Sequence, residues 1–242
     1  KAYSPELMVS SMYVTDRIHT KKEQDDFVNR LTSIFPRLHG IVIGPGLGRN
    51  QHVLQSVKKI VERAKEIELP LVLDADGLFL LSRSPDMLKS YHNAVITPNV
   101  VEYRRLCKAV NEKPDIDISR LTKCLNGPIV IRKGRVDEIC GSIAVSLVEK
   151  EEIVMKCDAL GSPRRPGGLG DFLAGTAIVL LSWSVRRFGS SKVLNHVQAC
   201  HAATTIVREA SRRAFAKRKR GMIARDLLSE ISDAFETYCP ST

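Results

Sequence analysis

The 242-residue sequence contains no uninterrupted apolar stretch of the roughly 18 residues a membrane-spanning helix needs. Its longest candidates, Ala174 to Trp183 and Ile143 to Val148, are short and flanked by polar residues, so the chain is read as not crossing a membrane. There is no CxxC pair. The six cysteines, Cys107, Cys124, Cys140, Cys157, Cys200 and Cys239, lie far apart, unlike the dense frameworks of small secreted domains, and are expected to be reduced thiols in a reducing compartment. No secretory leader pattern follows Lys1, and no internal repeat, low-complexity tract or domain-dividing linker occurs. A GxxxxGK[ST] loop is missing, which removes the P-loop reading. GPGLGR places Gly44 and Gly46 in the first two positions of GxGxxG but Arg49 in the third, and no acidic residue ends a strand about 20 residues on, which argues against a dinucleotide fingerprint of the Rossmann type.

What is present reads as α/β. Apolar residues make up 43% and charged residues 26%, ordinary globular usage. Four β-branched runs, Gly40 to Gly44, Leu71 to Asp74, Ala94 to Thr97 and Pro128 to Gly134, are apolar without alternation, as expected of parallel strands covered on both faces. Helical spacing follows the first in Val53, Leu54, Val57, Ile60, Val61, Ala64 and Ile67, the second in Leu78, Leu80, Leu81, Met87 and Leu88, and the third in Val101, Tyr103, Leu106 and Val110. All four strands end in clusters of Gly, Pro, Asn or Asp. In a right-handed parallel arrangement these clusters share the carboxyl edge, where open α/β sheets bind ligands. Glu138 to Lys156 reads as a hairpin split by the charged residues Glu149 to Glu152, and three helices close the chain, from Asp171 to about Arg187, Lys192 to about Phe215 and Ala224 to about Tyr238.

The informative string is GSPRRPGGLGDFLAG, Gly161 to Gly175. Gly167, Gly168 and Gly170 stand just before a helix, so backbone N–H groups and the positive helix end face one point and form an anion hole. Such donors contribute about 2.7–4 kcal/mol each, against about 0.3–2 kcal/mol for a helix end alone, so the glycine backbone is the larger effect. Asp171 at this junction reads either as a plain N-cap or as a base. A carboxylate beside a phosphate loop is a local conflict, tolerated more readily where it takes a proton from a nucleophile. His196, Cys200 and His201 offer metal-ligand types, but no four ligands cluster, and they are read as ordinary helix positions.

Six pieces in order, YSPELMV, GIVIGPGLGR, LVLDADGLFLL, ITPNVVEYRRL, VIRKGRVDEI and GSPRRPGGLGDFLAG, give a resemblance that spans most of the chain from Ala2 to about Gly175. The sequence resembles the ATP-dependent NAD(P)H-hydrate dehydratases, a branch of the ribokinase-like superfamily that repairs hydrated NADH and NADPH. The resemblance implies a single ribokinase-like domain over residues 1–242, with a mostly parallel central sheet and helices on both faces. It implies that Gly46 and Gly48 approach the hydrated nucleotide and that Asn99, Val100, Val101, Glu102, Tyr103, Arg104 and Arg105 form another wall of its pocket. Glu102 would help hold Mg²⁺ through water. Lys133, Gly134, Arg135, Val136, Asp137, Gly161, Ser162, Pro163, Arg164, Arg165, Pro166, Gly167, Gly168, Leu169 and Gly170 would surround the co-substrate ATP. Asp171 would be the base and also touch the hydrated substrate.

Two departures accompany the resemblance. Leu169 stands where the family usually has Gln or Thr, and Pro166 where it commonly has Cys or another small residue; altered nucleotide affinity is expected more than lost chemistry. Family members also usually carry several dozen residues before YSPELMV, so part of the family domain is expected to be missing here. A cytoplasmic protein is expected, or a mitochondrial one if a targeting segment precedes Lys1; a homo-oligomer is left open. Rival readings are a ribokinase-like kinase of a small metabolite and an inactive fragment with a binding role.

The chain carries a net charge of +10, and Arg208 to Arg225 holds eight Lys and Arg, with Glu209 counted as the acid among them. Aromatic interleaving is lacking, so the run is read as a solvated face that attracts polyanionic nucleotides rather than as a nucleic-acid interface.

Overall fold

In the computed structural model, which describes residues 7–10, 20–144 and 150–240, the four apolar runs become β1 (Ile41–Ile43), β2 (Leu71–Leu73), β3 (Ala94–Ile96) and β4 (Ile129–Arg132). They pair in parallel and in chain order, Val42 opposite Val72 and Val72 opposite Val95. Two longer strands, β5 (Asp137–Ala144) and β6 (Lys150–Cys157), then add antiparallel, giving the order β1-β2-β3-β4-β5-β6 among the described residues. The expected hairpin is therefore present, with one correction. Lys150, Glu151 and Glu152 belong to β6, opposite Ala144, Ile143 and Ser142, while residues 145–149 lie outside the described ones. Charge on an outer strand discourages further pairing, which is why a charged run sits there rather than in a turn.

Sequential parallel order with right-handed crossovers puts the connecting helices on one face. They are α2 (Gln51–Glu66), α3 (Asp76–Arg83), α4 (Val100–Ala109) and α5 (Ile118–Leu125), joined by α1 (Lys21–Thr32). Phe27, Val57, Ile60, Leu81, Leu106 and Leu121 pack there with Leu71, Leu73 and Ile96. The opposite face carries α6 (Leu169–Phe188), α7 (Val193–Arg218) and α8 (Leu228–Tyr238), and there Val72, Val95, Ile129 and Ile131 meet Leu173, Ala177, Leu181, Val197 and Ala203. Leu71 and Leu73 thus face one core and Val72 the other, the period-two consequence of the pleat.

By length and composition α6 is long and apolar enough to cross a membrane, although no single run within it is, because Gly, Ser, Thr and Asp interrupt it. In this fold its buried residues Leu173, Ala174, Ala177 and Leu181 lie in the core it shares with the sheet.

Candidate active site

The ends of the parallel strands are stitched together by main-chain bonds beyond the ladders. Asp74 N–H donates to the Ile43 carbonyl (3.1 Å), Thr97 N–H to that of Leu73 (3.3 Å) and Lys133 N–H to that of Pro98 (2.9 Å). At this edge the buried Asp74 carboxylate accepts a hydrogen bond from Lys133 Nζ at 2.9 Å. The start of α6 reaches the same pair, since a Cβ on Gly170 would lie 3.2 Å from Asp74 Oδ2 and 3.5 Å from Lys133 Nζ. Gly168, the N-cap, has φ +96, a left-handed conformation that L side chains rarely adopt. The glycines of GGLGD thus serve close approach and backbone sign at once.

Leu169 and Gly170 occupy the first two helical positions, whose N–H groups have no intrahelical acceptor. Asp171 is third, so it is not the N-cap. Its N–H bonds the Gly168 carbonyl (3.1 Å), and its exposed carboxylate makes no hydrogen bond or ion pair among the described residues. The Asp171 carboxylate therefore does not cap the helix, and it lies in the first turn beside N–H groups that have no intrahelical acceptor.

A cavity of ≈ 680 Å³ opens beside this point, in the size range of small-molecule sites. Lys133, Gly134, Arg135, Val136, Asp137, Gly161, Ser162, Pro163, Arg165, Leu169 and Gly170, residues for which the resemblance implied ATP contact, line this one cavity. Arg164 instead turns to the C-terminal segment, donating Nε to the Met222 carbonyl (2.7 Å), and Pro166, Gly167 and Gly168 lead into α6 outside the lining. The strongest tie in the cavity wall comes from a residue that the sequence reading assigned to a solvated face. Arg208 donates Nε to Asp137 Oδ2 (2.7 Å), Nη1 to the Ala159 carbonyl (2.9 Å) and Nη2 to that of Gly134 (3.1 Å). Asp137 Oδ1 in turn accepts the Gly134 N–H (2.8 Å), and Ser211 Oγ accepts that of Ser162 (3.1 Å). Burial alone would lower the Arg208 pKa; the hydrogen bond and charge of Asp137 raise it above the usual value.

The rest of the basic run is also less free than its composition implied. Arg212 and Arg213 hold Glu209 (2.6 and 2.7 Å), Lys217 holds the buried Glu230 (2.7 Å) and Arg218 pairs with Asp226 (3.3 Å). Lys219, Arg220 and Arg225 make no ion pair among the described residues.

The other wall is more open. Gly46 and Gly48 hold φ +68 and +76 with open space around them. Gly48 N–H donates to Asp76 Oδ2 (3.0 Å), and Arg49 Nε to Oδ1 (3.1 Å). Asn99 caps α4: its Oδ1 accepts the N–H of Val101 and Glu102 (2.9 and 3.0 Å), while Glu102 Oε2 accepts the Asn99 N–H (2.8 Å). This reciprocal box fixes the helix start that carries Asn99 to Arg105. Val100 and Val101 are exposed, but the Tyr103 side chain is fully buried, its hydroxyl donating to the Ile116 carbonyl (2.8 Å), so only its backbone can face a ligand. Arg104 pairs with Asp115 (3.1 Å), and Arg105 lies over Phe79.

His196 has a structural place, its Nδ1 2.8 Å from Ser184 Oγ between α6 and α7, and His201 Nε2 lies 3.2 Å from the Lys156 carbonyl oxygen. All six cysteines are free.

A six-stranded sheet layered by helices, with a glycine-led helix start at its ligand edge, is the ribokinase-like class of α/β protein. A ribokinase-like superfamily protein of Enterococcus faecalis V583 superposes with a TM-score of 0.61 at 20% identity, over 89% of this chain and 67% of its own. A hypothetical protein of Streptococcus mutans does so at 0.59 and 17%, over 87% and 70%. The profile of the family described as NAD(P)H-hydrate dehydratase matches residues 1–233. Relatives named ATP-dependent (S)-NAD(P)H-hydrate dehydratase are 37% identical in Mus musculus and in Ciona intestinalis, each over 97% of this chain, and 34% identical in Arabidopsis thaliana over 100% of it. The chain belongs to the NAD(P)H-hydrate dehydratase family. It spans 66% of the length of the mouse relative and 62% of that of the Ciona relative.

Proposed function

We propose that this chain dehydrates the S form of hydrated NADH and NADPH at the expense of ATP. The observation that carries the proposal is the Asp171 carboxylate at the third position of α6, which has no hydrogen bond or ion pair among the described residues, beside helix N–H groups and the cavity walled by Lys133 to Asp137 and Gly161 to Pro163. The relatives' names supply the substrate class.

Hydroxide is a poor leaving group, so the C6 hydroxyl of the hydrate must first be activated. Asp171 accepts the hydroxyl proton as that oxygen bonds to the γ-phosphorus and the bond to ADP breaks. The N–H groups of Leu169 and Gly170 face the phosphoryl oxygens, and Lys133, oriented by Asp74, adds positive charge. The ring nitrogen's lone pair then expels phosphate from C6, and loss of a proton from the neighbouring carbon restores the dihydropyridine. ATP has become ADP and phosphate, and the substrate has lost the elements of water.

The residues present fit Mg²⁺. Glu102 spends Oε2 on its cap, while no hydrogen bond occupies Oε1 among the described residues; one carboxylate oxygen together with phosphate oxygens and water is a donor set Mg²⁺ accepts. When bound, the ion neutralises charge on the transferring phosphoryl group.

The test is to supply hydrate, ATP and Mg²⁺ and follow reduced-nicotinamide absorbance beside ADP and phosphate; all three should rise one for one. Asp171→Asn should lower turnover by about 10²–10⁴-fold with an unchanged Tm. A stable phosphate ester with no absorbance rise would make the chain a kinase instead.

A further inference from the structure

Three guanidinium groups converge on one ring outside the groups used by the proposed chemistry. Around Phe79, one turn into α3, Arg49 lies 4.5 Å from the ring centroid, Arg105 5.8 Å and Arg83 5.9 Å. Like charges gathered so closely repel, and the negative face of a ring offsets only part of that repulsion. Asp76 partners Arg49. Neither Arg83 nor Arg105 makes an ion pair or hydrogen bond among the described residues, although Arg104, next in sequence, has Asp115. Of the three cations at this half-buried aromatic surface, Arg49 alone has a carboxylate partner among the described residues.

The cluster joins both elements of the open wall. Arg49 ends the GPGLGR loop, and its partner Asp76 also holds the Gly48 N–H, while Arg105 belongs to α4. Guanidinium forks match phosphate oxygens in pairs, so an added phosphate would relieve the repulsion and gain charge-assisted hydrogen bonds. The geometry points to a phosphate-binding site formed by Arg49, Arg83 and Arg105 around Phe79, for a phosphate of a dinucleotide remote from its nicotinamide ring. This rests on the reading that the open wall receives a dinucleotide. Two sources share the chemistry: the diphosphate bridge, common to the NADH and NADPH forms, and the 2′-phosphate, present only on the latter.

Titration calorimetry of NAD⁺ and NADP⁺, with a non-hydrolysable ATP analogue and Mg²⁺ saturating the other site, tests this without turnover. Replacing both Arg83→Gln and Arg105→Gln should weaken binding about tenfold or more, whereas Arg220→Gln, at an exposed arginine outside both walls, should change it less than about twofold. Loss confined to NADP⁺ assigns the 2′-phosphate; equal loss for both assigns the diphosphate. Arg83→Gln alone, at the exposed end of α3, carries the test if the double variant melts lower. Absent binding to the native chain, or binding indifferent to Arg83 and Arg105, would overturn the site. Arginine-dependent NADP⁺ binding without hydrate turnover would instead remove the dehydratase reading and leave the site standing.

Discussion

The cavity wall is tied by Arg208 and Asp137, whose side chains are 13% and 11% exposed, whereas the GPGLGR loop hangs on Asp76 and Arg49, the latter 58% exposed. On the cavity side one guanidinium reaches a carboxylate and two carbonyls, so the turn at Gly134 is fixed before any ligand arrives. On the loop side one carboxylate serves a single N–H and one solvated arginine. Preorganisation lowers the ordering cost of binding, so under the proposed function the two walls would bind their ligands on different terms. The cavity is shaped in advance, whereas the proposed substrate would have to order the open wall as it binds.

The comparison breaks most directly at Arg208. Arg208→Met leaves Asp137 buried without its cation and should cost about 3–5 kcal/mol in denaturant unfolding. It should also raise the KM for ATP while that for the dinucleotide hydrate stays put. A loss under about 1 kcal/mol would mean the pair does not hold the wall.

A smaller effect is expected across the site. Asp76→Ala frees the Gly48 N–H and Arg49 together, and should raise the dinucleotide KM about tenfold at a stability cost near ~1 kcal/mol. An ATP KM that moved equally would show that the walls are not independent.

The smallest effect lies outside both walls and serves as a control. Hydrogen bonding from Arg212, opposed by burial and supported by Arg213, holds the Glu209 carboxyl down at about 2, from 4.5. A depressed folded-state pKa adds stability that is present above the unfolded value and disappears as pH falls through the folded one. Glu209→Gln should therefore cost about 0.5–1 kcal/mol near neutrality, discounted because Arg212 is half exposed, and the gap should close between pH 4.5 and about 2. Thermal melts of both proteins across that range check it; turnover should not change.

The parallel strands, α2, α4 and the glycine-led start of α6 were readable in the sequence because each rests on local pattern. Two helices were not. In α1 the signal was present as Thr20 and Glu23, which form a capping box, but its face is mostly polar and no period stood out. In α5 eight residues give barely two turns, too few for spacing to announce a helix. Within the site, Asp74 read only as a strand terminator, since its partner Lys133 lies 59 residues on. Arg208 misled for the same reason: a window over the basic run counts Glu209 and cannot see Asp137, 71 residues upstream.

The second core, where Val72, Val95, Ile129 and Ile131 meet α6 and α7, sets an order of events during synthesis. The helices covering the first face arrive between successive strands, so that side closes as the chain emerges. Val72 must wait for Leu173, about 100 residues later, before its side of the sheet is covered. At roughly 5–20 residues per second that is on the order of 5–20 s with an apolar sheet face bare, long enough for a chaperone to engage it or for two nascent chains to meet there.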